Sequence, residues 1–249
     1  MQPSRIIIDA PRRAAKNMAI DQVLLESVAD GQPAVLRFYQ WAEPSLSLGY
    51  FQRVSERSAH EPSQPCKLVR RVTGGGALVH DYELTYSLSL PTLGRTAAAL
   101  QDLYTVVHRC FAAALQQFGV APVMSAIAAK TQGADYFLCF QRRTEVDLVL
   151  AGYKILGSAQ RRTKTAVLQH GGLLLRSSSY APELPGVLEL SGVEVPLPAL
   201  LPVVIAELTR EVDELSAWER SEVATAELER SAWWEQERFA SPHWLTRRT

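Results

Sequence analysis

Three consecutive glycines, Gly74 to Gly76, are the first residues whose type and spacing suggest chemistry. They lie in the segment VRRVTGGGALVHDYELTYSLSL, residues 69–90, between two runs typical of strands. Glycine reaches positive φ and carries no side chain, so a ligand can lie directly against main-chain amides there. The spacing fits neither the dinucleotide-binding GxGxxG loop nor the P-loop, which ends in GK[ST]. On these residues alone two interpretations stay open: a glycine-rich turn without a ligand, and a cradle for an anion.

The cysteines form a second group of chemically interesting residues. Cys66, Cys110 and Cys139 are odd in number and widely spaced, which suits neither a disulfide framework nor a zinc site with paired CxxC spacing. We therefore expect free thiols and no metal site. Cys110 falls on the apolar face of a predicted helix, where packing is its expected role. Cys139 stands between Leu138 and Phe140, so on local sequence it is a packing residue by default and a reactive thiol in the alternative.

The charge balance argues against two classes of partner. Lys plus Arg and Asp plus Glu each number 26 among 249 residues, which gives no electrostatic reason to expect nucleic acid or an anionic membrane. No apolar run approaches the roughly 20 residues of a membrane span, and no signal-peptide pattern is present, so we expect a cytoplasmic protein. Three arginine pairs are local exceptions: Arg70-Arg71, Arg142-Arg143 and Arg161-Arg162. Each pair is either a solvated surface feature or a contact for an acidic partner or a phosphate.

Hydrophobic spacing predicts the elements that position these residues. Strands are predicted at residues 5–9, 34–41, 45–52, 83–91 and 166–176, and helices at residues 14–29 and 97–118. The strands at 34–41 and 45–52 are expected to be neighbours in one sheet. On the helix at 97–118, His108 lies off the apolar stripe and is expected to be exposed.

The second half of the chain completes an α+β pattern. A β-hairpin is predicted across residues 147–160 with Ala151-Gly152 as its turn, and residues 207–238 show helical spacing. The chain is 47% hydrophobic and contains no obvious linker. We therefore predict a single α+β domain over residues 1–249, with residues from about 203 to 249 as a helical C-terminal extension.

Three blocks of sequence, in order and with their spacing intact, resemble one protein family. They are NMAIDQVLLE with RFYQWAEPSLSLGYFQ, then RRVTGGGALVHDYELTYS, then GYKILGSAQRRTKTAVLQHGGLLL. Together they cover most of Asn17 to Leu175 and resemble the biotin/lipoate A/B protein ligase family, which contains lipoate-protein ligases and the octanoyltransferases of lipoate synthesis. The resemblance implies a mixed β-sheet packed with helices, like the catalytic domain of the biotin- and lipoate-protein ligases.

The resemblance leaves two reactions to choose between. Ligases activate a free acid with ATP, whereas octanoyltransferases move an octanoyl group from acyl carrier protein onto a cysteine and then onto a lysine of a lipoyl domain. Cys139, followed by Lys154 of the motif KILGSAQ, is similar to the cysteine-dependent transferases. A thiolate suits this chemistry because a thioester stays activated for attack by an amine. Lys154 would lower the thiol pKa, handle the proton of that amine and contact the acyl carbonyl, so the implied catalytic residues are Cys139 and Lys154.

The resemblance also implies an acyl-binding pocket. Its residues are Arg71, Gly74, Gly75, Gly76, His80, Gly157, Ser158, Ala159 and His170. The glycines would let the acyl chain lie along the backbone, Arg71 would support their loop, and His80 with Asp81 would fix its shape through hydrogen bonds. For the wall from Gly157 onward, plain strand packing is the alternative. Gly76 departs from the transferase pattern, since close transferase relatives commonly carry arginine there and ligases carry glycine.

We therefore predict an acyltransferase that moves octanoate from octanoyl-acyl carrier protein to a lipoyl-domain protein, such as the glycine cleavage H protein or a 2-oxoacid dehydrogenase E2, through a Cys139 thioester. No cofactor is expected to be required. One alternative is a lipoate-protein ligase that forms a lipoyl-adenylate and needs ATP and Mg. Another is a non-catalytic module that binds an acyl group or a carrier protein, although an intact lysine hairpin would be surplus there.

Overall fold

The computed structural model describes residues 2–125 and 136–248 and contains two sheets with helices around them. The strands are β1 (Ser4–Ile8), β2 (Val35–Tyr39), β3 (Ser45–Leu48), β4 (Lys67–Arg70), β5 (Leu78–His80), β6 (Glu83–Pro91), β7 (Val123–Met124), β8 (Leu148–Leu150), β9 (Tyr153–Arg162), β10 (Ala166–Leu174) and β11 (Trp218–Ser221). The α-helices are α1 (Ala14–Ala29), α2 (Ala97–Gln116), α3 (Val187–Ser191), α4 (Leu197–Glu211), α5 (Thr225–Trp234) and α6 (Pro242–Leu245). A 3₁₀ turn at Cys139–Gln141 precedes β8.

Eight strands form the main sheet, in the order β11-β1-β2-β6-β10-β9-β8-β7. β1 is parallel to β2 and β11, whereas β2, β6, β10 and β9 pair antiparallel to one another along the sheet. β10 lies at the centre, and its Gly171 faces Tyr86 of β6 on one side and Ser158 of β9 on the other. The predicted mixed sheet packed with helices is therefore confirmed.

Helices cover both faces of the main sheet. Leu36 and Phe38 of β2 pack in one core with α2 and α4, while Val35 and Tyr39 pack in a second core with α1. Successive side chains of a strand point to opposite faces, so a strand that is apolar on both sides needs cover on both. Every residue of β2 is accordingly buried. The site described below lies on the α1 side of this sheet.

The second sheet is small and holds the glycine loop. Its order is β4-β3-β5, with β3 parallel to β4 and antiparallel to β5. Gly74 to Gly76 lie between β4 and β5, so both ends of their loop are anchored to β3. The prediction that the strands at 34–41 and 45–52 are neighbours is wrong, because β2 and β3 belong to different sheets. The break at Glu43-Pro44 takes the chain out of the main sheet, where proline has no N–H to pair.

The predicted helices at 14–29 and 97–118 are confirmed as α1 and α2, but one prediction on α2 is wrong. His108 is fully buried, because its ring finds polar partners that the helical pattern does not reveal. The predicted hairpin turn is confirmed between β8 and β9, where Ala151 and Gly152 have φ values of 45° and 83°. Two successive residues at positive φ match the twist of a tight hairpin.

The C-terminal region contains more than helices. The helical interpretation of residues 207–238 is wrong at β11, which joins the edge of the main sheet in parallel to β1. α4 ends before it and α5 begins after it. Pairing with β1 provides hydrogen-bond partners for the backbone N–H and C=O groups of this short charged strand. This pairing outweighs the helical spacing of its side chains. The division into a single domain with an extension from about residue 203 stays a prediction. Within residues 2–125 and 136–248, no helix combines the length and the apolar character that crossing a bilayer requires.

Candidate active site

A cavity lies where the glycine loop meets α1, β9 and β10. Its lining contains these predicted site residues: Arg71, Gly74, Gly75, His80, Cys139, Gly157, Ser158, Ala159 and His170. Further residues complete it: Met18, Tyr39, Trp41, Leu78, Thr85, Phe140, Gly171 and Gly172. Gly76 and Lys154 are outside the lining, although each approaches a residue that belongs to it. The surface of the cavity is mainly apolar, and its lining includes one thiol and one guanidinium.

Cys139 is positioned by the glycine loop. Its N–H donates to the carbonyl of Ala77 at 2.7 Å, and the N–H of Ala77 donates to the carbonyl of Phe137 at 2.9 Å. These bonds fasten the start of the 3₁₀ turn to the residue after the glycines. The Cys139 side chain is partly exposed, whereas Cys66 and Cys110 are buried. The packing role expected for Cys110 is confirmed, and Cys139 does not lie in a sealed core.

Close packing and backbone conformation explain two of the three glycines in the loop, Gly76 and Gly75. A Cβ on Gly76 would lie 2.9 Å from the backbone nitrogen of Cys139, and a Cβ on Gly75 would lie 3.6 Å from its sulfur. Gly75 also has φ of 94°, in the region that favours glycine. Across the loop, a Cβ on Gly49 would lie 1.9 Å from the carbonyl oxygen of Gly75, a requirement that sequence reasoning missed. The loop therefore packs directly against the 3₁₀ turn that carries Cys139.

Arg71 is the cation beside the thiol. Its buried guanidinium donates to Ser47 at 2.7 Å and to the carbonyls of Gly74 and Gly76 at 3.1 and 2.9 Å. Burial lowers the pKa of Arg71 to about 10, and electrostatic attraction to Cys139 acts in the opposite direction. The side chain therefore stays protonated at neutral pH. It holds the carbonyls of the loop in place while its charge faces the cysteine.

Lys154 has a different environment from the one expected. It is buried, and its Nζ forms an ion pair with Asp147 at 2.9 Å. The ammonium lies 5.3 Å from the centre of the Phe140 ring. A Cβ on Gly157 would lie 2.6 Å from Nζ, so the ammonium reaches the cavity wall through the space that glycine leaves open. Asp147 thus matches the charge of Lys154, whereas Arg71 donates to carbonyls and a hydroxyl.

His80 is held between a carboxylate and a hydroxyl. Its Nδ1 lies 2.6 Å from Glu83, its Nε2 lies 2.6 Å from Ser47, and its ring stacks on Trp41 at 3.7 Å. Burial lowers the pKa of His80, which favours the neutral ring with Nδ1–H donating to Glu83. Ser47 then donates to Nε2 and accepts from Arg71. The carboxylate that His80 contacts is therefore Glu83, while Asp81, which was expected to help His80 fix the loop, accepts from Ser178.

A second buried hydrogen-bond network, around His170 and Asp21, contains residues that sequence reasoning missed. His170 lines the cavity, with Nε2 at 2.6 Å from Thr73 and Nδ1 at 3.4 Å from Asp21. Asp21 also accepts from Arg37 at 2.9 Å and from Tyr39 at 2.8 Å. Despite burial, the hydrogen bond with His170 and the positive charge of Arg37 keep the pKa of Asp21 below its usual value. The signal available in the sequence was an acidic residue inside the apolar face of α1.

A third buried hydrogen-bond network, around His108, fixes Ser158 in the lining of the cavity. His108 donates from Nδ1 to the carbonyl of Val146, and its Nε2 lies 2.7 Å from the Ser158 hydroxyl. Ser158 also lies 2.6 Å from the Tyr86 hydroxyl, which accepts from Gln169 at 2.9 Å. Burial lowers the pKa of His108 to about 4, so the ring is neutral near pH 7. With Nδ1 of His108 protonated, Ser158 donates to Nε2 and accepts from Tyr86, so each of the two hydroxyls donates one hydrogen bond and accepts one.

The chain matches the lipoyl protein ligase A/B catalytic domain family over residues 13–191, a region that includes every residue lining the cavity. It belongs to that family. Octanoyltransferase LipM of Oceanobacillus iheyensis is 37% identical over 171 residues, which cover 67% of this chain and 62% of that protein. Octanoyltransferase LipM of Brevibacillus brevis is 34% identical over 184 residues, which cover 70% of this chain and 67% of that protein. The matched part therefore spans less than two thirds of the first of these relatives.

Solved structures of lipoyl protein ligases share the fold. A lipoate-protein ligase A bound with ATP superposes with a TM-score of 0.78 at 18% identity, covering 98% of this chain and 99% of that one. The bipartite lipoate protein ligase described with its E2 lipoyl domain from Thermoplasma acidophilum has a TM-score of 0.76 at 18% identity, covering 99% and 97%. These likenesses establish the family's architecture for this chain.

Proposed function

We propose that this protein is an octanoyltransferase of lipoate synthesis, which moves an octanoyl group from acyl carrier protein to Cys139 and then to a lysine of a lipoyl-domain protein. The observation that carries the proposal is a partly exposed thiol at the edge of an apolar cavity with buried Arg71 beside it. The relatives named octanoyltransferase LipM support the acyl group. The ligase described with its E2 lipoyl domain supports an acceptor of that kind, with the glycine cleavage H protein as another.

In the first half-reaction Cys139 attacks the thioester carbonyl of the donor. The guanidinium of Arg71 lies beside Cys139 and is placed to stabilise the negative charge that develops there during the attack. A carbon–sulfur bond forms to Cys139 and the one to the carrier breaks, so the carrier thiol leaves with the proton that Cys139 gave up. One thioester replaces another, and the step is close to thermoneutral.

In the second half-reaction the amine of the acceptor lysine attacks octanoyl-Cys139. An amide bond forms, the bond to Cys139 breaks, and the proton lost by the amine returns to the thiolate. We assign Lys154 to the oxyanion of the tetrahedral intermediate, because its ammonium reaches the wall beneath Gly157. Its ion pair with Asp147 makes this role more suitable than proton transfer.

An ATP-dependent lipoate-protein ligase is the second candidate, favoured by the fold likeness to a ligase bound with ATP and by glycine at position 76. The packing of this chain supplies another reason for that glycine. A side chain at position 76 would collide with the backbone of Cys139, whichever reaction is catalysed. Under the transferase proposal neither ATP nor magnesium is needed, because the acyl group arrives already activated as a thioester.

The test is acyl loading without ATP. The protein is incubated with octanoyl-acyl carrier protein, and mass spectrometry is used to locate a hydroxylamine-labile octanoyl adduct before and after a lipoyl domain is added. We expect the adduct on Cys139 and its transfer to the lipoyl domain. Cys139→Ala is expected to lose both, whereas Cys66→Ala, which removes a buried thiol, is the matched control. Product formed only from free octanoate and ATP would establish the ligase, and binding without product would establish a non-catalytic module.

A further inference from the structure

A second pocket, of about 260 Å³, lies beside the Cys139 cavity and is lined by three arginines. Arg161 comes from the end of β9, Arg238 from the turn after α5, and Arg247 from the C-terminal segment. We call it the arginine pocket. Of the three arginine pairs singled out in the sequence, Arg161-Arg162 contributes Arg161 to this pocket, whereas Arg70-Arg71 contributes Arg71 to the Cys139 cavity. Arg70 and Arg71 are buried and donate to carbonyls.

Aromatic rings, not carboxylates, hold these arginines. The Arg238 guanidinium lies 4.1 Å from the ring centre of Trp234 and 4.9 Å from that of Trp244. Arg247 lies 4.1 Å from the ring centre of Tyr50 and donates to its hydroxyl at 2.7 Å. Arg161 lies 6.0 Å from the same ring. In the described part of the chain none of the three forms an ion pair, although other surface arginines do. Stacking fixes a guanidinium and leaves its N–H groups available.

The pocket concentrates positive charge. The pKa of Arg238 is lowered by burial first and then by repulsion from Arg161 and Arg247, while Glu26 opposes the shift. Glu26 is the acid that faces this group, and it already accepts from Arg230 at 3.2 Å and from the indole of Trp234 at 3.0 Å. Three guanidinium groups thus face one carboxylate, that of Glu26, which already accepts hydrogen bonds from other residues. Such a site favours an anion that accepts several hydrogen bonds, and phosphate fits the fork of arginine.

The arginine pocket and the Cys139 cavity are lined by neighbouring residues of the same three segments. On α1, Met18 lines the cavity, and Gln22, four residues later on the same helix face, lines the pocket. On β9, Ala159 lines the cavity, and Arg161 lies about 7 Å further along on the same face of the strand. In the loop after β4, Val72 lines the pocket while its neighbour Arg71 lines the cavity. The two spaces are therefore neighbours along α1, β9 and the loop after β4, as one elongated ligand would require.

We propose that the arginine pocket binds the phosphate of a phosphopantetheinyl thioester whose acyl end occupies the Cys139 cavity. This inference rests on the proposed function, because it concerns the donor of the acyl group. Such a donor carries an apolar acyl chain and a thioester at one end and a phosphate at the other, which matches an apolar cavity that contains a thiol and a neighbouring pocket lined by arginines. Carrier protein and coenzyme A both present this group, so the shared phosphopantetheine is the ligand and the experiment separates the two sources.

The test compares donors that differ in the phosphate. The kcat/KM for octanoyl loading is measured with octanoyl-acyl carrier protein, octanoyl-coenzyme A and octanoyl-pantetheine, which lacks the phosphate. Arg161→Gln is the main variant, because this exposed residue at a strand end contributes least to the fold. Arg238→Lys keeps a charge but loses the fork. Arg210→Gln, exposed on α4, is the matched control. A charge-assisted bond contributes enough that Arg161→Gln should lower kcat/KM about tenfold or more for the phosphate donors.

The outcomes separate this proposal from the proposed function. We expect octanoyl-pantetheine to change less than about twofold with Arg161→Gln, while Arg210→Gln leaves all donors unchanged. An equal loss for all three donors, or no loss for any, overturns the phosphate site. A loss confined to carrier protein identifies that source, and a loss with both identifies the shared group. If wild-type protein accepts no thioester at all, the proposed function fails, and calorimetry with 4′-phosphopantetheine against pantetheine then decides the pocket by itself, with equal affinity refuting it.

Discussion

Replacing Gly76 with alanine should displace the candidate nucleophile. The new Cβ would lie 2.9 Å from the nitrogen of Cys139, 3.0 Å from its Cα and 3.0 Å from the carbonyl oxygen of Phe137. All three are backbone atoms, which cannot swing aside as the end of a side chain can. Relief therefore requires the cysteine turn to move away and strains the two hydrogen bonds through Ala77, at 2.7 and 2.9 Å. Overpacking of this kind costs about 1–3 kcal/mol, and a lost hydrogen bond adds about 1 kcal/mol.

The free energy of unfolding of Gly76→Ala is thus expected to fall by about 2–4 kcal/mol, measured by urea denaturation. A shift of about 1 Å in a reacting group can cost about 100-fold in rate, so octanoyl loading of Cys139, followed by mass spectrometry, should slow by that order. Gly74→Ala is the matched control for stability, since the nearest atoms to its Cβ belong to the Phe51 ring at 3.9 Å. If Gly76→Ala is as stable as Gly74→Ala and is loaded with octanoate at the wild-type rate, then close packing of Gly76 against the Cys139 turn does not position the cysteine.

Three further outcomes follow from the burial of ionisable groups. Burial lowers the pKa of His108 to about 4, so as the pH falls this histidine is protonated in the unfolded chain before it is protonated in the folded protein. Between pH 6.5 and 4 the free energy of unfolding of the wild-type protein should therefore fall by up to about 3 kcal/mol more than that of His108→Gln. Urea denaturation at both ends of this range measures the difference. Iodoacetamide should alkylate Cys139 well before the two buried cysteines, whose pKa values burial raises to about 11 and 12, as peptide mapping would show. Asp147→Ala should lower the free energy of unfolding by about 3–5 kcal/mol, because it leaves the Lys154 ammonium buried without its carboxylate; the double variant with Lys154→Met should recover much of this, and equal values for the single and double variants would contradict it.

Much of the frame could be predicted because local pattern and tertiary structure agree there. The apolar spacing of α1 and α2 follows the faces that they bury, and the alternation in β6 follows its place in the sheet. Gly74, Gly75 and Cys139 were selected from far-apart segments through the family resemblance, and the structure brings them to one cavity. Their contact depends on the bridge between Ala77 and Leu138, which no local pattern encodes.

The remaining differences arise from partners that are distant in sequence. His108 was expected to be exposed because helical periodicity counts apolar residues only, whereas the Ser158 hydroxyl that satisfies its ring comes from β9. Asp21 lies on α1, yet it accepts hydrogen bonds from side chains of β2, β6 and β10. β11 was missed because its backbone is satisfied by β1, more than 200 residues earlier in the chain. Polar contacts across sheets are the information that a single sequence carries least directly.

The charged and polar side chains around the cavity differ in whether an opposite charge is paired with them. His80 and His170 each join a hydroxyl to a carboxylate, so their hydrogen-bonding capacity is used in fixing the walls. Lys154 is matched by Asp147. Arg71 is different, because its partners are carbonyls and a hydroxyl, which accept hydrogen bonds without cancelling a full charge. A negative charge beside Arg71 is therefore the complement that these contacts lack.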